Sequence, residues 1–80
     1  MKGWNINMNS LTNKQKETLL IIQEFISKNG YSPSIREIGK ELNVNSPATV
    51  YTHLKKLRGK GYIIWEEKQD RTIRIIREVS

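Results

Sequence analysis

The sequence predicts a mainly α fold, three helices followed by a small β-hairpin. Three observations carry this expectation. Capping signatures at Thr12 with Gln15, at Ser34 with Glu37 and at Ser46 with Pro47 each precede apolar residues at helical spacing. Gly30 and Gly61 stop the first and third of these segments, since glycine takes the left-handed helix ending without strain. Beyond Gly61 the residues turn β-branched and aromatic, in two runs around a polar loop.

Residues 1–10 read as a flexible N-terminal tail, in which Trp4, Ile6 and Met8 stand apart without a sustained period. The first helix opens at Thr12, carries Leu19, Ile22, Phe25 and Ile26 on one stripe, and ends at Asn29-Gly30. Tyr31-Ser32-Pro33 is a short extended link. The second helix starts at Ser34 and buries Ile35, Ile38 and Leu42. At about nine residues it is too short to hold without packing. Asn43-Val44-Asn45 makes a tight turn with the valine pointing inward. In the third helix Ser46 is a favoured N-cap, and Pro47 sits where its missing N–H costs nothing. Val50, Leu54 and Leu57 line its core side, and it ends near Lys60. Tyr62 to Trp65 and Thr72 to Arg77 are the strands, with Glu66 to Arg71 as the loop between them. A lone hairpin is marginal in water, so this one must pack on the helices. Residues 11–78 thus make a single domain.

Composition excludes much. The chain has no cysteine and one histidine, His53, so disulfides, iron–sulfur clusters and cysteine- or histidine-rich metal sites are ruled out and no cofactor is expected. His53 lies at the border of the core face and reads as a packing residue. No apolar run approaches the ~20 residues of a membrane span, and the N-terminus lacks the apolar stretch of a signal peptide. A cytoplasmic protein with no membrane partner is expected. No acid, base and nucleophile form a catalytic pattern; Glu37 and Glu41, one turn apart, read as solvated. Neither an enzyme nor a small-molecule substrate is therefore expected.

Charge points to a partner. Fourteen Lys and Arg against eight Asp and Glu give +6. Between Tyr51 and Tyr62 lie four cations and no anion. A clustered basic excess on a small domain is the electrostatic footprint of a nucleic-acid binder.

The third helix supplies the matching geometry. With Val50 as origin of a helical wheel, Leu54 and Leu57 lie within ~40°, whereas Ala48, Thr49, Thr52, Lys55 and Lys56 fall between ~140° and ~260°. Tyr51 and Arg58 lie on the flank of that outward face. Short side chains let a backbone approach a major groove, hydroxyls and methyls reach base edges, and lysines meet phosphate. An ordinary solvated face is the plain alternative. Two helices joined by a three-residue turn form a helix-turn-helix, and the added hairpin makes it the winged variety. Lys68 and Arg71 in the wing loop are placed for phosphate, although Glu66, Glu67 and Asp70 would repel DNA unless turned away from it. The Ser34 helix start offers free N–H groups as a phosphate seat. Arg36 has no acidic neighbour three or four residues along its helix, which leaves it for phosphate or solvent.

Three stretches carry a resemblance to a known family. They are Leu11-Thr12-Asn13-Lys14-Gln15-Lys16, the run Asn29-Gly30-Tyr31-Ser32-Pro33-Ser34-Ile35-Arg36-Glu37-Ile38-Gly39, and the run from Ser46-Pro47-Ala48-Thr49-Val50 through Leu54-Lys55-Lys56-Leu57, followed by Lys60-Gly61-Tyr62. Together they closely resemble the N-terminal DNA-binding domain of the LexA repressors of the bacterial SOS response, over about residues 10–76. The resemblance implies a winged helix that represses transcription at inverted-repeat operators on double-stranded DNA, with a homodimer on the DNA. It implies base contacts at Ser46, Ala48, Thr49, Tyr51 and Thr52. Phosphate contacts are expected from Ser34, Arg36, Lys55, Lys56, Arg58, Lys68 and Arg71. The self-cleaving C-terminal half of that family has no counterpart in these residues, so no self-cleavage carries over. The rival expectation is a winged helix that docks a protein partner, as in a phage or plasmid regulatory factor. Its apolar patch would be Trp4, Ile6 and Met8.

Overall fold

The computed structural model describes residues 11–78. The expected tail, and with it the docking patch of Trp4, Ile6 and Met8, lies outside them. The element order is helix α1 (Asn13–Asn29), α2 (Ile35–Leu42), α3 (Pro47–Gly59), strand β1 (Ile63–Ile64) and β2 (Arg74–Ile75).

Local chemistry sets the helix ends. Thr12 Oγ accepts from Gln15 N at 3.1 Å while Gln15 Oε1 accepts from Thr12 N at 3.1 Å, the reciprocal box that opens α1. Gln15 is buried, and its Oε1 also accepts from Lys60 Nζ at 3.0 Å, tying the start of α1 to the end of α3. Gly30 closes α1 at φ 81°, its N–H donating to the Ile26 carbonyl. At the end of α3, Gly61 (φ 85°) donates to the Arg58 carbonyl and Tyr62 to the Leu57 carbonyl. This is a Schellman ending, with Leu57 and Tyr62 both in the core. Helix α2 ends the same way on Asn43, at φ 61°, with Val44 N donating to the Gly39 carbonyl. Asparagine tolerates that conformation better than other residues with a side chain, and here it turns the chain from α2 into α3.

All three helices bury one side against a common core. Leu19 and Ile22 from α1, Ile38 and Leu42 from α2, and Val50, Leu54 and Leu57 from α3 meet Tyr62, Ile63 and Ile73 of the hairpin. Helix α2 comes close to the turn and to α3 at Gly39. A Cβ there would stand 3.1 Å from the Val44 carbonyl oxygen and 3.3 Å from Val50 Cγ2, so the absence of a side chain lets the helices pack this tightly.

The strands are shorter than the sequence pattern implies. Ile63 pairs with Ile75 and Ile64 with Arg74, antiparallel, and beyond them Ile76 N still donates to the Tyr62 carbonyl at 2.8 Å. Other nearby donors bond outside the ladder. Tyr62 N serves the α3 ending, Glu66 N donates to Thr72 Oγ at 2.9 Å, and Ile73 N donates to Ser32 Oγ at 3.1 Å. The hairpin is held by helix ends and side chains as much as by its own ladder.

Candidate nucleic-acid interface

Helix α3 presents the face that the wheel predicts. Ala48, Thr49, Tyr51, Thr52, Lys55 and Lys56 are exposed, while Val50, Leu54 and Leu57 are buried. Ser46 occupies the N-cap position with extended backbone, yet its hydroxyl makes no cap hydrogen bond. Instead, Thr49 N and Val50 N both close on the Ser46 carbonyl, at 3.1 and 3.4 Å. The exposed hydroxyl is left open to an outside partner. Thr52 Oγ donates to the Ala48 carbonyl at 3.0 Å, so its lone pairs and methyl face outward, able to accept from a base amine or touch a thymine methyl.

A groove of about 800 Å3 runs between α2, the start of α3 and the hairpin loop. Arg36, Ser46, Tyr51 and Lys68 all line it, which brings expected base and phosphate residues from three elements to one place. Lys55 and Lys56 lie further along α3. Among the described residues, Arg36, Lys55, Lys56 and Lys68 have no ion-pair partner.

Ser34, Arg71 and Arg58, from which phosphate contacts were expected, all make bonds within the chain. Ser34 is buried, its Oγ accepting from Glu37 N at 3.1 Å and its N–H donating to Glu37 Oε1 at 2.9 Å. The next N–H of that helix start, from Ile35, donates to Asp70 Oδ1 at 3.2 Å, so the expected phosphate seat already holds a carboxylate of the chain itself. Arg71 reaches back from the loop to Glu37 at 3.0 Å and to the Ser32 carbonyl at 3.2 Å, with its guanidinium 5.3 Å from the Tyr31 ring centre. Hydrogen bonding by Arg71, then by Ser34 N, holds the Glu37 carboxyl below its ordinary pKa. Glu37 in turn raises that of Arg71. Glu37 is thus a structural partner of the wing, where the sequence suggested a solvated carboxylate. Arg58 is likewise engaged, donating to Glu67 Oε2 at 2.9 Å and lying 4.2 Å from the centre of the Trp65 ring.

These internal pairs occupy two of the three wing carboxylates. Asp70 and Glu67 are turned onto an N–H and a guanidinium of the protein, and Lys68 is left exposed at φ 70° in the loop. The pairings are non-local, and no spacing rule along the chain signals them.

Three helices with a tight α2–α3 turn, an open polar face on α3 and a lysine-bearing hairpin beside it define a winged helix-turn-helix module. The chain belongs to the LexA DNA-binding domain family, whose model matches residues 8–72. It is 45% identical over 69 residues to the LexA repressor of Finegoldia magna, covering 86% of this chain and 33% of that protein. The LexA repressor of Thermotoga maritima is 42% identical over 72 residues, covering 90% of this chain and 36% of that protein. The transcription regulator LexA of Synechocystis is 37% identical over 71 residues, covering 89% and 35%. The chain spans about a third of the length of these relatives. Among the described residues no helix is long and apolar enough to cross a membrane.

Proposed function

We propose that this chain binds double-stranded DNA by laying α3 in the major groove and represses transcription from an inverted-repeat operator, acting in the cytoplasm as a homodimer on the DNA. In this reading Ser46, Ala48, Thr49, Tyr51 and Thr52 touch base edges. Arg36, Lys55, Lys56 and Lys68 neutralise phosphates, and the bound side chains of Ser34, Arg58 and Arg71 hold the wing and α2 in place. The observation that carries the reading is the exposed α3 face itself: an unspent Ser46 hydroxyl and small side chains at one end, unpaired lysines at the other.

Fluorescence anisotropy tests it, with an inverted-repeat duplex of the LexA type and a scrambled duplex, each across a salt series. The expected result is tighter binding to the repeat and a steep salt slope on both. Lys55→Ala should weaken both duplexes alike and flatten the slope by about one counterion, whereas Thr52→Ala should change base preference and leave the slope alone. Equal, weak binding to every duplex would leave only a basic surface.

A further inference from the structure

Tyr51 is the one expected base-reading residue whose ring packs against the wing. It is 36% exposed, and its ring centre lies 6.4 Å from that of Trp65 with the planes tilted by 45°. That separation is within the range of attractive aromatic pairs. Trp65 directly follows β1 and is itself pinned. Arg58, two turns beyond Tyr51 on the same flank of α3, lies 4.2 Å from its ring centre and is anchored to Glu67 at 2.9 Å. Tyr51 and Arg58 thus bracket one hairpin residue.

From this arrangement we propose that Trp65 is a positioning residue for DNA specificity: it fixes the Tyr51 ring and thereby decides which base pair the phenol reads. The proposal rests on α3 being the DNA-reading helix. A tyrosine side chain has two torsions, so contact with a pinned neighbour is enough to fix where its O–H points. The phenol both donates and accepts, so a small displacement changes which base-edge group it meets. Tyr51 and Lys68 line the same groove, so a base edge that enters it meets the phenol beside the wing. Specificity at this position is then written partly in the hairpin, outside the recognition helix.

The test has two readings. In the free protein, the Tyr51 ring resonances in an NMR spectrum should move when Trp65→Leu removes the neighbouring ring current; unchanged Tyr51 resonances would overturn the proposal without any DNA. In selection from duplexes randomised across the half-site, Tyr51→Ala and Trp65→Leu should lose discrimination at the same base pair, by roughly fivefold or more, with the other positions intact. Trp65→Phe, which keeps an aromatic face, should restore most of it. Trp65→Met, whose unbranched side chain adapts to an irregular gap, replaces the leucine variant if that one does not fold. A uniform loss of affinity with preferences intact, or a change at a base pair indifferent to Tyr51→Ala, would reduce Trp65 to hairpin packing and overturn the proposal. Absence of any preference in the unsubstituted protein would instead overturn the DNA-reading function, and it is seen before any substitution is made.

Discussion

Two helix starts in this molecule begin with serine, and they are used in opposite ways. At Ser34 the hydroxyl and N–H bond to Glu37, and the following N–H bonds to Asp70 of the wing. At Ser46 the hydroxyl makes no cap bond and the residue is exposed. The difference lies in the neighbours. Ser34 has Glu37 three residues on and completes a capping box, while Ser46 has Thr49 there and a proline directly after it. The closed helix start anchors the wing, and the open one leaves a hydroxyl exposed for the DNA contact proposed above.

The largest expected break in this arrangement is at Gly39, where α2 approaches the turn and α3. Gly39→Val would force a branched side chain toward the Val44 carbonyl and Val50, and should destabilise the fold by about 1–3 kcal/mol through overpacking. The urea midpoint should fall accordingly. An unchanged midpoint would mean that the two helices have slack between them. The next effect compares the two serines directly. Ser34→Ala should lower stability by about 1 kcal/mol, as loss of a working cap does. Ser46→Ala should stay within about 0.5 kcal/mol of the parent, since no cap bond is lost, yet weaken binding to the preferred duplex. Equal stability losses for the two would erase the distinction between anchor and surface.

The sequence made the helix starts and stops legible because each depends on residues three to six apart: Thr12 with Gln15, Ser34 with Glu37, Arg58 with Gly61. The outward face of α3 was legible for the same reason. The wing was not. Its attachments join Ile35 to Asp70, Glu37 to Arg71 and Ser32 to Ile73, across 34 to 41 residues. The strands stop short because Tyr62 N serves the α3 ending and Glu66 N donates to Thr72 Oγ, while the wing's own attachments engage Arg71 and the α2 start within the chain. Gly39 carries a local signal of its own: a lone glycine inside a helical pattern marks a close approach.

The smallest expected effect concerns Glu37 at the closed start. The carboxyl of Glu37 lies below its ordinary value of 4.5 in the folded chain, chiefly through Arg71, and returns to that value on unfolding. The unfolded chain therefore binds more protons between the two values, and stability rises with pH across that window. The contribution is fully present above 4.5 and is lost as the pH falls through the depressed value. Both partners are partly exposed, so the effect is modest and weakens with salt. Glu37→Gln keeps an oxygen for the Ser34 N–H but removes the charge facing Arg71. Thermal unfolding followed from about pH 3 to pH 6 should then show a shallower acid loss than the parent, converging at the acid end. No such group stands at Ser46, so its alanine variant should track the parent's profile throughout. A Glu37→Gln profile identical to the parent's would show that the wing is held by Asp70 and Ser32, with the Arg71 ion pair contributing nothing measurable.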